Sequence, residues 1–269
     1  MRMFAASERQ ACRLVGLSRS VRRYVAQRPD DEPIIEALAA QVEAHPRFGF
    51  RKLFLLLRKA GRPWNHKRVW RVYCEMNLNI RRRFRRRYRS KAPVSLVQPI
   101  RPNQAWSADF MSDVLADGRQ FRTFNVIDDY NREALWVEID VSLTAARITR
   151  VLDQVVAIRG RPERLRVDNG PEFTSAAFVA WCQMNGVELE YIQPGKPTQN
   201  AFVERFNGIY RDGVLDVWSF LSLDHVREET ERWLEDYNTI RPHESLGDVS
   251  PVEFLTARGH ADLSSYAWT

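Results

Sequence analysis

The chain has 269 residues, 44% of them hydrophobic, and a formal net charge of +7. That content can bury a real core in one large or two modest domains. It offers no run of eighteen apolar residues to span a bilayer, no apolar stretch in residues 1–10 to serve as a signal peptide, and cysteines and histidines too scattered for a disulfide framework or a zinc site, so a reducing cytoplasm is the expected setting.

Charge divides the chain. Residues 1–100 carry 24 Lys and Arg against 7 Asp and Glu, a net of +17. The remaining residues carry 17 against 27, a net of −10. This asymmetry reads as a basic binding module joined to an acidic globular one.

In chain order, residues 8–26 read as two short helices around Gly16, with Ser18 as N-cap of the second. Apolar periodicity predicts helices over 33–44, 49–60 and 65–76, the second stopped by Gly61 and Pro63. In the third, Val69, Val72, Tyr73 and Met76 are expected to pack inward while Lys67, Arg68 and Arg71 point out together. A three-helix DNA-binding unit fits, its last helix offered to a groove. Directly after it comes "RRRFRRRYR", 81–89, including Arg81, Arg82, Arg83, Arg85, Arg86 and Arg87. Such a run repels itself in a compact fold, so it is expected to be exposed and to bind phosphates, with strong salt dependence. Phe84 and Tyr88 could stack on bases or simply pack.

Three prolines in 91–104 mark a linker. Residues 105–140 then read as three strands, turned at Asp117-Gly118 and again at "DDYN", 128–131. A helix is predicted over 144–159, a short strand in "ERLRVDNG", a helix over 174–185, a strand over 187–192, and helices over 199–215 and 223–238, the last read as final. A meander followed by alternating helices and strands implies a mixed α/β sheet of five strands with flanking helices, behind a small all-α, helix-turn-helix-like basic domain.

Three carboxylates stand out. Asp109 lies within the first strand. Asp168 ends the fourth, at the sheet's carboxyl edge, before an Asn-Gly turn. Glu204 lies early in the helix after the fifth strand, behind the loop "QPGKPTQN". If they converge, the natural occupant is Mg²⁺, and two such ions about 4 Å apart can activate a nucleophile and stabilise a leaving oxygen in phosphoryl transfer. The pattern alone leaves a second reading, since any α/β domain carries acids at its turns; Asp113, Asp117, Asp128 and Asp129 are explained that way. Lys196, Gln199 and Asn200 either touch a DNA backbone or cap the loop. Arg205 and Arg211 pair with phosphates or with surface acids.

The motifs "WSADF", "VDNGPEF", "PGKPTQNAFVERFNG" and "YNTIRPHESLG…SPVEF" occur in that order, with 35 residues between Asp168 and Glu204. Together they resemble the DDE transposases, and more narrowly the second-frame (B-type) transposases of bacterial insertion sequences, relatives of retroviral integrases. The likeness covers nearly the whole chain, and "HPRFGFRKL…NHKRVWRVY" matches the family's helical region ahead of the core. It implies an RNase H-like catalytic core, with Asp109, Asp168 and Glu204 as catalytic residues and ligands of two Mg²⁺ ions, for which Mn²⁺ can substitute. It implies cleavage of element ends and joining to a target. The implied partner is double-stranded DNA, both ends and target, bound by a homo-oligomer that depends on, or is fused to, an upstream helix-turn-helix frame product, in a cytoplasmic, nucleoid-associated setting. The competing readings are an RNase H-like nuclease that does not join, and a catalytically inactive DNA-binding regulator. On this basis the chain divides into a short helical segment (1–31), a helical DNA-binding domain (32–90), a linker (91–102), the core (103–258) and a tail (259–269). One departure is Gly213 in "YRDGVLD", where relatives commonly carry a glutamate; a glycine there predicts weaker helix continuity.

Overall fold

A computed structural model describes residues 7–25, 30–80, 98–193, 200–260 and 263. The arginine run at 81–89, most of the linker, Lys196 and Gln199 lie outside these residues. Two short helices come first, α1 (Glu8–Leu14) and α2 (Arg19–Arg23), each started by a serine. Ser7 and Gln10 form a reciprocal capping box on α1, and Ser18 caps α2 by accepting from the Val21 amide. Helices α3 (Glu32–Ala44), α4 (Phe50–Lys59) and α5 (His66–Glu75) then enclose a core of their own. It contains Ile34, Leu38, Leu53, Leu57, Val69, Val72 and Tyr73, so the apolar spacing correctly identified the inner faces.

The second domain is built on one sheet. Strands β1 (Ala105–Val114), β2 (Gln120–Asp128) and β3 (Ala134–Asp140) form an antiparallel meander. After helix α6 (Ala145–Arg159), β4 (Arg164–Val167) pairs parallel to β1, and β5 (Glu188–Tyr191) pairs parallel to β4. The order is β3-β2-β1-β4-β5, the mixed five-stranded sheet expected. One face carries Trp106, Ala108, Phe124 and Leu165 against α6 and α8 (Ala176–Met184). The other carries Met111, Phe121 and Ile139 against α9 (Ala201–Tyr210) and α10 (Leu223–Glu235). Helices therefore cover both faces, and alternation along each strand decides which side chain meets which layer.

Details differ from expectation. The helix predicted over 174–185 is α8, capped by Ser175 accepting from the Phe178 amide, and a short helix outside that prediction, α7 (Pro171–Thr174), precedes it. The helix predicted as final is followed by α11 (Pro251–Thr256), begun by a Ser250–Glu253 capping box. The "DDYN" turn exists, and Asp128 shapes it by accepting from the Tyr130 amide at 2.9 Å, but the turn is buried. Asp128, Asp129 and Glu133 are fully buried. Arg166 donates to Asp129 at 2.8 Å and Arg159 to Glu133 at 2.7 Å, binding the β2–β3 turn to β4 and α6. Burial pushes Asp129 and Glu133 up to about 7 against the pull of these arginines. Among the described residues no helix is long and apolar enough to cross a membrane.

The chain does not break at Gly213. Helix α9 widens into a π-helical turn over Arg211–Leu215, and α10 does the same over Asp236–Ile240. A Cβ at Gly213 would lie 2.4 Å from Trp233 Nε1, and that indole stacks on Tyr237 and tilts against Tyr210. Glycine suits this position because any larger residue would have to displace the indole from its stack. We predict that Gly213→Ala destabilises the protein by about 1–3 kcal/mol in urea unfolding, and that the loss shrinks in a Trp233→Phe background; an equally large loss in that background would contradict the steric account.

Candidate active site

Strand register brings two of the three carboxylates together. The parallel pairing sets Trp106 opposite Leu165 and Ser107 opposite Arg166. Carried two residues further, past the last residue of β4, the same register would set Asp109 level with Asp168. Alternation turns Asp109 to the same face as Met111, towards α9. The third carboxylate, Glu204, is on the first turn of that helix and is exposed.

Each aspartate is oriented by its surroundings. Asp109 Oδ1 accepts from the Phe110 amide at 2.9 Å, and Oδ2 accepts from Asn207 Nδ2 at 2.8 Å. Asn207 Oδ1 accepts in turn from Asn125 Nδ2 at 2.7 Å, and Asn125 pairs directly with Asp109 across β1 and β2. One side chain of α9 therefore grips both central strands. Asp168 Oδ1 accepts from the Gly170 amide at 2.9 Å. A Cβ at Gly170 would lie 2.9 Å from that same oxygen, so a larger residue would have to push the carboxylate out of this orientation.

The electrostatics register the convergence. Burial pushes Asp109 up to about 6, and the negative charges of Asp168 and Glu204 add to it, while Phe110 and Asn207 pull it down. Burial also raises Glu204. Among the described residues, however, no three acidic, histidine or cysteine side chains are gathered closely enough to hold a metal ion as they stand. The donor set nevertheless fits a hard divalent cation: carboxylate oxygens alone, one of them desolvated and crowded by like charge.

Sequence comparison identifies the family. Residues 99–197 and 185–251 match two models each described as an integrase core domain, and residues 29–88 match an HTH-like domain. A 31.7 kDa protein of insertion element IS407 from Burkholderia multivorans is 45% identical over 92% of this chain and 90% of the relative. The chain belongs to the insertion-sequence transposase family with an integrase core. A 39.2 kDa protein of insertion element IS476 from Xanthomonas euvesicatoria is 43% identical over 92% of this chain and 72% of the relative. In fold, the transposase resembles a chain of the simian T-cell lymphotropic virus intasome solved with PP2A regulatory subunit B56 gamma: TM-score 0.54, 17% identity, 81% of this chain and 73% of that one.

The residues expected to touch DNA meet different fates. In the transposase Lys67 is exposed, but Arg68 and Arg71 converge on Asp31 at 2.8 and 2.6 Å instead of standing free. Arg211 pairs with Asp113 at 3.1 Å, the surface-acid alternative. Asn200 is 2% exposed and offers nothing to solvent in this conformation. Arg205 is exposed and forms no ion pair among the described residues. Asn207, a polar residue to which the sequence assigned no role, is 8% exposed and turned into the protein. Its position three residues after Glu204 was the available signal, because that spacing stacks both side chains on one helix face.

An aspartate with a raised folded-state pKa costs stability when ionised. The folded carboxyl of Asp109 titrates near 6, above its ordinary value of 3.8, so the cost is complete above pH 6 and disappears as pH falls towards 3.8. We predict that Asp109→Asn stabilises the metal-free protein by on the order of 2 kcal/mol at pH 8 and by less at pH 5. Urea unfolding at the two pH values checks this; equal or lower stability at pH 8 would contradict it.

Proposed function

We propose that Asp109, Asp168 and Glu204 carry the chemistry of this DDE transposase, and the observation that supports it most strongly is that the charges of Asp168 and Glu204 both reach Asp109 and add to the rise that burial causes there. Two Mg²⁺ ions, replaceable by Mn²⁺, would be held by these carboxylates and would supply Lewis acidity at the phosphodiester and neutralise developing charge. The protein's own contribution is positioning. Phe110 and Asn207 hold the Asp109 carboxylate in one orientation, Gly170 holds that of Asp168, and Glu204 approaches on the first turn of α9 as DNA is seated.

The reaction has two steps at one site. A water oxygen attacks phosphorus at the element end, the P–O3′ bond breaks, and the departing oxygen takes a proton to give a 3′-hydroxyl. That hydroxyl attacks a target phosphorus, its proton is lost, and the target's own O3′ departs. Neither step requires a covalent protein–DNA intermediate. The family match supports DNA as the partner. We extend this to both element ends and target, held by a homo-oligomer, with an upstream-frame helix-turn-helix product aiding end recognition, in the nucleoid-bearing cytoplasm. The division at 1–31, 32–90, 91–102, 103–258 and 259–269 gives each step its module: grip before the linker, chemistry after it.

Asp168→Asn is expected to abolish Mg²⁺-dependent end cleavage and joining of a pre-cut end, while duplex affinity stays close to wild type. Cleavage at the wild-type rate by this variant would refute the assignment.

A further inference from the structure

The seam between the helical domain and the core is closed mainly by ion pairs. Arg51 meets Glu244 and Asp248, Lys59 meets Glu253, and His45 meets Asp236. Inside this paired rim sits a group of cations treated differently. Lys52, on α4, and Arg241, after the second π turn, both lie over the ring of Phe48, at 5.2 and 5.1 Å from its centroid. Neither forms an ion pair among the described residues, and neither does Arg205, next to Glu204 on α9. Arg241 Nε is buried without a hydrogen-bond partner. Two clefts open along this seam, one of them lined by Phe48 itself. One, of about 610 Å³, is lined by Arg47, Lys52 and Pro242; the other, of about 560 Å³, by Arg47, Tyr237 and Arg241.

Like charges held together and partly desolvated raise the free energy of the protein without a counter-ion. Burial pushes Lys52 down to about 7, with Arg241 and Arg205 adding to it, and Arg241 down to about 10, with Arg205 adding to it. Asp212 and the buried Tyr237 phenol are the groups that act in the opposite sense on Arg241. Arg51, Lys59 and His45 on this seam each have a carboxylate. An unpaired set at a domain junction therefore marks a place for an anion from outside.

We propose that Lys52, Arg205 and Arg241 form a seat for one backbone phosphate of duplex DNA, bridging the helical domain and the helix that carries Glu204. The proposal rests on the reading that the chain grips DNA with both domains. Duplex DNA is the occupant the surroundings favour, because the first hundred residues carry +17 and residues 29–88 match an HTH-like domain. A phosphate here would join one α4 side chain to a neighbour of Glu204, so that docking by one domain is felt on the first turn of the catalytic helix.

The test uses the full chain and a short labelled random-sequence duplex, with affinity measured across salt concentrations and melting followed without DNA. Lys52→Gln with Arg241→Gln should weaken binding and reduce the magnitude of the log–log salt slope by roughly 0.9 per lost phosphate contact. Lys52→Arg, which keeps the charge, should retain the wild-type slope. The melting temperature of the DNA-free double variant should equal or exceed wild type, since crowded positive charge has been removed. A wild-type slope in the double variant overturns the proposal, whatever its melting temperature, and so does a slope lost equally in Lys52→Arg. Stabilisation of the wild type by inorganic phosphate alone, with that unchanged slope, would mark an anion site unrelated to DNA. Asp168→Asn, measured alongside, should keep the wild-type slope; cleavage by that variant would sink the catalytic assignment and leave the seat standing.

Discussion

A single amide holds the candidate active site to the scaffold. Asn207 donates to Asp109 and accepts from Asn125, so α9 is keyed to β1 and β2 at one point. Glu204 lies one helical turn before that key. On that first turn Val203 is buried in the core while Glu204 is exposed, so the third carboxylate stands on the open side of a packed helix. The two aspartates, by contrast, are carried by a parallel strand pair, Asp109 within β1 and Asp168 directly after β4. Two carboxylates are thus set by the sheet and one by a helix start.

Much of the molecule outside the site keeps that sheet rigid. The buried pairs Arg166–Asp129 and Arg159–Glu133 stitch the β2–β3 turn to β4 and α6, behind the edge that presents Asp168. Such pairs contribute little net stability after desolvation, but removing one partner leaves a buried charge uncompensated, so they define one arrangement strongly. The two π turns act similarly on the opposite face. They bring Gly213 against Trp233 and keep the aromatic stack around Phe206 and Tyr237 in contact with α9.

Much of this was legible in the sequence. Strand alternation, the Asp-Gly turn and the apolar spacing of the helices gave the sheet and its covering layers, because each is set by local chemistry. Asp109, Asp168 and Glu204 stood out by position in those elements and by resemblance. What stayed hidden was tertiary. Asn207 reads as a polar surface residue until β1 is placed opposite it. Arg68 and Arg71 read as free cations because Asp31, their shared partner, is nearly forty residues away. Asp128 and Asp129 are turn residues by composition, and only the fold shows that the turn is buried. Lys52 and Arg241 attract no notice along the chain, since their significance lies in having each other as neighbours and no carboxylate between them.

The central claim is that three distant carboxylates share a pair of divalent cations once DNA is seated. Crystals of the full chain with a pre-cut element end and Mn²⁺, measured for anomalous scattering, test it directly. The account predicts two anomalous peaks about 4 Å apart, contacted by Asp109, Asp168 and Glu204 together. Peaks bound by the two aspartates with Glu204 still turned to solvent, or ions bound elsewhere, would contradict it.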